Sequence, residues 1–220
     1  MFLGHYGLAL AAKRLSPRTS LGTTVLAAEL ADEIWPFFLL AGVEQVKMIP
    51  GLMAASSFDF IRYPISHSLL TGILGGIAFG LVYYLLRRNL HGAVVAGALV
   101  PSHWVLDYIV HRPDLPLWPG GPRVGLGLWH SLPWTLLAEL LVFGGGLAVY
   151  LWTTKAKSRM GHVALWSFVV FLVIVYLSSL FGSQNPNMRM STKQIADEAL
   201  LLWLFVPWAY WIDRYRMVRN

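Results

Sequence analysis

Six times along the chain, a run of about twenty residues passes with few or no Lys or Arg residues: 20–42, 66–86, 91–111, 132–153, 162–182 and 195–212. A helix rises 1.5 Å per residue, so about 20 apolar residues cover the hydrocarbon core of a bilayer. The runs predict an all-α polytopic membrane protein with about six transmembrane helices. A shorter apolar stretch, 2–12, would cover only about 16 Å and is expected as an N-terminal half-helix, either partly inserted or lying in the interface. Its positive charges, Lys13 and Arg14, come after it rather than before it, which argues against a cleavable signal peptide.

Composition supports this frame. Charged residues make up 13% of the chain, against about 25% in a soluble domain, so there is too little polar surface to cover a water-soluble globule. A net charge of +6 would suit nucleic acid, but the basic residues sit in short clusters between apolar runs. No nucleic-acid partner is expected; the partner is the lipid bilayer. The absence of cysteine excludes disulfides and thiolate metal sites. The basic clusters Lys13/Arg14/Arg18, Arg87/Arg88, Lys155/Lys157/Arg159 and Arg214/Arg216/Arg219 alternate with poorer loops. By the positive-inside tendency this predicts both termini in the cytoplasm. Length suits a single domain over 1–220.

Small residues have a role of their own. Gly72, Gly76 and Gly80 recur every fourth residue, the spacing of a seam along which another helix packs closely. Gly144, Gly145 and Gly146 mark a candidate bend in the fourth run. The stretch 43–63 is a candidate for a short outer helix. The aromatic residues Trp203, Trp208, Tyr210, Trp211 and Tyr215 look like interfacial anchors.

The informative residues are the polar ones inside the apolar runs. Glu29, Asp32 and Glu33 share one helix face at i, i+3 and i+4. Each ionised carboxylate near a helix centre costs about 2.5–3.5 kcal/mol to insert, so that face must meet protein, water or a cation. Pro36, one turn later, can open the backbone there. His103 and Asp107 stand at i, i+4, with His111 and Asp114 extending their stripe. His67 begins the second run, His130 precedes the fourth, and Glu139 lies two turns into it. With the predicted topology and helix rise, Asp32 sits about 15 Å, His103 about 12 Å and Glu139 about 10 Å below the outer ends of their helices. His67 is near the outer surface. These residues can therefore converge in the outer half of the bundle. Imidazole and carboxylate without thiolate suit zinc, and also manganese or iron. A proton relay and a structural polar network between helices fit the same spacing.

Four segments carry a family resemblance: Gly4-His5-Tyr6-Gly7, Asp32-x-x-Trp35-Pro36, Tyr63 to Leu69 with its Ser66-His67-Ser68 core, and Ser102-His103 through Asp107 to Leu117. Over roughly residues 1–145 the chain resembles the YdjM-like membrane-bound metal-dependent hydrolases of the bacterial inner membrane. That family is grouped with zinc-dependent phospholipase C and P1 nuclease, helical phosphoesterases with a three-zinc site. The resemblance implies His5, Asp32, His67, His103 and Asp107 as metal ligands, in the family's order. His111 and His130 fall at later histidine positions, and Asp114 and Glu139 are further candidate ligands. Glu139 comes nine residues after His130 rather than four, and Met1 stands where the secreted enzymes use a processed terminal residue. One or two divalent ions, most readily zinc, are expected, with three as the upper bound.

The resemblance and the polar residues together imply a metal-dependent phosphoesterase acting on a lipid or lipid-linked substrate. The ions would make a water acidic enough to attack phosphorus, Glu29 or Asp59 would serve as general base, and Arg62 or Arg112 would bind the phosphate. The core would be 1–145, with 146–220 as scaffold helices free of chemistry. Two other readings compete. An ion or proton transporter would use the same polar cluster as a path, and a non-catalytic membrane scaffold would use it for packing.

Overall fold

The computed structural model describes residues 1–182 and 184–219. It is an all-α polytopic membrane protein, with five helical stretches among the described residues long and apolar enough to cross a bilayer. The order opens with three short helices, α1 (Phe2–Leu15), α2 (Leu21–Ala28) and α3 (Leu30–Leu40). A hairpin of β1 (Gln45–Met48) and β2 (Phe58–Arg62) comes next, then the long helices α4 (Leu69–Arg87) and α5 (Leu90–Val110). A small hairpin of β3 (Leu115–Pro116) and β4 (Arg123–Val124) leads to α6 (Leu132–Thr153). After β5 (Thr154–Ala156) come α7 (Arg159–Gly182), α8 (Thr192–Ala199), α9 (Phe205–Tyr215) and β6 (Arg216–Val218). A tight 3₁₀ stretch, Leu200–Leu204, joins α8 to α9 into one 24-residue apolar span.

The first predicted span is not one helix. It is broken at Glu29, whose φ of −96° and ψ of 2° lie off the helical values, and the break falls upstream of Pro36, which sits inside α3. The stretch 43–63 also departs from expectation. It forms the β1–β2 hairpin, in antiparallel register with Val46 opposite Phe60 and Met48 opposite Phe58, rather than a helix.

The N-terminal segment is neither interfacial nor marginal. α1 is buried along most of its length, with Tyr6, Ala9 and Leu10 fully enclosed. Its small residues let it approach α6 closely: a Cβ on Gly146 would lie 2.0 Å from the Gly7 carbonyl oxygen. Gly146 is thus a packing point inside an unbroken helix rather than a bend. A buried helix of this kind can stop at membrane depth because protein, not lipid, surrounds it.

The Gly72/Gly76/Gly80 seam does pack against α5. A Cβ on Gly76 would meet the Gly97 carbonyl oxygen at 2.4 Å, and one on Gly80 the Ala93 carbonyl oxygen at 2.9 Å. The rest of α4 faces outward, exposing Leu74, Ile77, Leu81 and Leu85. Apolar exposure on that scale belongs against lipid.

The basic clusters collect at one end of the bundle. Lys13 Nζ bonds Asp213 Oδ1 at 3.0 Å and the Thr19 carbonyl at 2.9 Å, while Asp213 also accepts from the Leu21 N–H. Lys157 Nζ bonds the Arg214 carbonyl at 3.0 Å, and β5 pairs with β6, Thr154 opposite Val218. His91 Nε2 meets the Leu15 carbonyl at 2.6 Å. The C-terminal strand is therefore at this end. Met1 is at the other, where its amino group pairs with Asp107. α1 does not cross: it begins among the histidines and runs toward the basic end.

A candidate metal centre of histidines and carboxylates

Four elements deliver one cluster. α1 supplies His5, the first turn of α3 supplies Asp32, and the residue before the α4 N-cap is His67. α5 supplies His103 and Asp107 one turn apart, and His111 caps its C-terminus. His67 Nε2 lies 3.1 Å from Asp32 Oδ1 and 3.9 Å from Asp107 Oδ2. His103 Nε2 lies 3.2 Å from Asp107 Oδ2 and 3.7 Å from Asp32 Oδ1. His5 Nε2 is 3.1 Å from Asp107 Oδ1, and its ring stacks on His103 at 3.7 Å between centroids. Two triads, His5/Asp32/His103 and His67/His103/Asp107, hold their ligand atoms within 4.8 Å of one another and could hold a metal ion. His111 Nε2 stands at the margin, 4.0 Å from Asp107 Oδ2.

The ring orientations are set from outside the cluster. His103 Nδ1–H donates to the Ala28 carbonyl at 2.8 Å. His67 Nδ1 is 2.7 Å from Ser66 Oγ, whose own hydrogen goes to Glu44 Oε2 at 2.6 Å. Glu44 Oε1 further accepts from the Ile65 and Ser66 N–H groups, each at 2.9 Å. His111 Nδ1–H donates to Asp114 Oδ1 at 3.0 Å. In all three rings the Nδ1 hydrogen is taken by an acceptor, which leaves the Nε2 lone pair facing inward. Those lone pairs face carboxylate oxygens. Acceptor against acceptor at 3.1–3.2 Å repels, so either a metal ion or a proton on Nε2 belongs between them. His103 Nε2 is buried and has no hydrogen-bond partner among the described residues, despite its short distance to Asp107. The donor set and its outer acceptors fit a divalent metal bound through imidazole and carboxylate.

Asp114 lies beyond the helices. Burial pushes its carboxyl up, but the bond from His111, the His111 charge and the bonds from Tyr63 and Arg112 outweigh this and hold it below the usual carboxylate range. It is an orienting group for His111, not a member of the two triads.

Other sequence-predicted residues fall elsewhere. Glu139 is buried, and its oxygens accept the Phe2 and Gly4 N–H groups at 2.9 and 2.8 Å, so it fastens the start of α1 beside the cluster. Arg112 is committed to two carboxylates, through Nε to Asp114 Oδ2 at 3.1 Å and through Nη2 to Asp59. That pairing turns Arg112 and Asp59 toward each other and Asp114, and neither lines the cavity at the cluster. Arg62 is exposed and lines a separate surface cavity with Arg123. His130 is exposed in the turn before α6.

A cavity of about 280 Å³ opens onto the cluster. Asp32, His67, Asp107 and His111 form its polar end. Glu29 is fully buried but does not line it. Its walls include Trp35, Phe60 and Trp129, but also Val175, Tyr176 and Leu180 of α7 and Ile195 and Ala199 of α8. The last two spans therefore wall the site rather than stand apart from it. The sequence does not disclose this, because apolar residues on a membrane helix carry no local mark of facing a cavity instead of lipid. No family model, no curated protein and no solved structure matches this chain.

Proposed function

We propose that the chain is a metal-dependent hydrolase of the membrane, acting on a phosphoester of a lipid or lipid-linked substrate. One observation carries the reading. Three imidazoles, each fixed by an outer acceptor, turn Nε2 toward the buried Asp107 and the partly exposed Asp32. Asp32, His67, His103 and Asp107, with His5, would hold one or two ions, most readily zinc. Such an ion supplies a water with a pKa lowered to about 7 and charge stabilisation at a phosphoryl oxygen.

The chain's own residues do the remainder. Glu44 through Ser66, the Ala28 carbonyl and Asp114 keep the imidazoles in one tautomer. The aromatic walls exclude bulk water and receive an apolar substrate. Glu139 lines the cavity and, by holding the Phe2 and Gly4 N–H groups, keeps the start of α1 and its His5 beside the cluster. The family resemblance, the bacterial inner membrane and a site in the outer half belong to the same proposal. The outer placement is supported by the four basic clusters at the end opposite the histidines.

The test is metal analysis of the purified full chain beside His103→Ala and Asp107→Ala. Stoichiometric zinc in the parent and its loss in both variants are expected, together with loss of phosphodiester hydrolysis. A parent protein without transition metal overturns the reading. Proton or metal flux in sealed vesicles without hydrolysis would favour a transporter instead. Intact cellular function after joint apolar replacement of His103 and Asp107 would favour a scaffold.

A further inference from the structure

Two donors in the cavity wall have no use in the fold. Trp35 is 7% exposed and Tyr176 is 9% exposed, and both line the cavity. Among the described residues, neither Trp35 Nε1 nor the Tyr176 hydroxyl has a hydrogen-bond partner. A buried donor left unpaired forfeits its hydration without return, a loss that an acceptor brought by a ligand removes. Each residue also packs against the polar end from its own side. The Trp35 ring stands edge-on to the His67 ring, centroids 6.2 Å apart at 79°. Tyr176 stacks on Phe2 at 6.2 Å and 5°, and the Phe2 N–H is one of the two that Glu139 accepts.

The wall formed by the last two spans is mostly apolar. Val175 and Leu180 come from α7, Ile195 from α8, and Leu202 from the stretch after it. Ser179 of α7 and Glu198 of α8 are the exposed members of the lining, which sets the mouth of the cavity between these helices. At about 280 Å³ the volume is at the lower end for small-molecule sites, roughly 300 Å³. It takes a head group and the first part of a chain, with the rest leaving through the mouth.

Resting on the metal reading of the histidine cluster, we propose that Trp35 and Tyr176 bind the oxygens of an anionic phosphoryl head, and that the α7–α8 cleft takes its alkyl chain. The ligand class is a single-chain or chain-bearing phosphorylated amphiphile rather than a soluble phosphoester. Trp35 and Tyr176 are binding residues that determine specificity, and helices α7 and α8 are the selectors for the chain.

The experiment uses the full chain in a nonionic detergent, loaded with zinc, and calorimetric titration with hexylphosphonate and methylphosphonate, whose C–P bonds resist hydrolysis. Hexylphosphonate should bind at least tenfold tighter, since its chain buries apolar surface in the cleft that methylphosphonate leaves wet. Tyr176→Phe and Trp35→Phe should each weaken both ligands about tenfold, the scale of one hydrogen bond to a charged group, with zinc content unchanged. Ala199→Phe, which fills the cleft, should weaken hexylphosphonate and spare methylphosphonate. Tyr176→Phe decides the matter if Trp35→Phe disturbs His67. Equal binding of the two phosphonates, or parental affinity in Tyr176→Phe, overturns this proposal while zinc is still bound. Absence of zinc from the parent overturns the metal reading itself, so the two failures are distinct.

Discussion

His67 shows how much of the site is legible one residue at a time. Its neighbours Ser66 and Ser68 mark the segment, and its place at the start of an apolar run puts it near Asp32 and the His103/Asp107 pair. What holds its ring is not local. Glu44 reaches Ser66 Oγ at 2.6 Å from the loop after α3, and nothing in the sequence around Glu44 announces that contact. Asp59 and Arg112 mislead for the same reason: their charges are visible in the sequence, their mutual pairing is not. Two predictions belong to this scale. Ser66→Ala should lower zinc affinity roughly 10–100-fold, as outer partners of a histidine ligand do, while Ser66→Thr retains most of it. Chelator competition reads both, and parental affinity in Ser66→Ala would show that the Glu44–Ser66–His67 chain orients nothing. Asp59→Asn should leave metal content unchanged and cost at most about 1 kcal/mol, the range for a partly exposed ion pair. Loss of metal on that substitution would return Asp59 to the site.

Elements carry a different kind of information. The long runs 66–86, 91–111 and 132–153 predict α4, α5 and α6 to within a few residues, because an apolar stretch of bilayer length has one stable solution. The run 20–42 satisfies the same rule and still breaks at Glu29. Composition does not register a local kink that delivers Asp32 on one helix while the Ala28 carbonyl meets His103 Nδ1 on another. α1 is the hardest element to read, since a 14-residue helix is too short to cross and its burial depends entirely on its neighbours. Its contact with α6 turns on one glycine of three. A Cβ at Gly146 collides with the Gly7 carbonyl, whereas one at Gly145 meets nothing within 4 Å among the described residues. Gly146→Ala should therefore destabilise by about 1–3 kcal/mol, the usual cost of overpacking, and loosen His5 with it. Gly145→Ala should be neutral or stabilising by up to about 1 kcal/mol, since alanine is the better helix former. Thermal unfolding in detergent separates them, and equal melting temperatures would contradict the close approach of α1 and α6.

On the scale of the whole molecule, the four basic clusters lie at one end of the bundle axis and the histidines at the other, although Lys47, Arg62, Arg112, Arg123, Arg189 and Lys193 stand on the histidine side. Lys13, Lys157 and Arg216 lie with the ends of α1, α6, α7 and α9, while His5, Asp32, His67 and Asp107 lie toward the opposite ends of α1, α3, α4 and α5. Basic residues tend to stay in the cytoplasm during insertion, so the proposed orientation, with the cavity toward the outside, predicts which loops a reagent reaches. The chain contains no cysteine, which allows a clean measurement of that orientation. Asn187 lies between α7 and α8 and Ser158 between β5 and α7; both are exposed. In intact cells, Asn187→Cys should react with a membrane-impermeant maleimide, and Ser158→Cys should react only after permeabilisation. The reverse pattern would place the histidine end in the cytoplasm. Any lipid substrate would then have to be drawn from the inner leaflet, because the mouth between α7 and α8 stands at the same end of the bundle as the histidines.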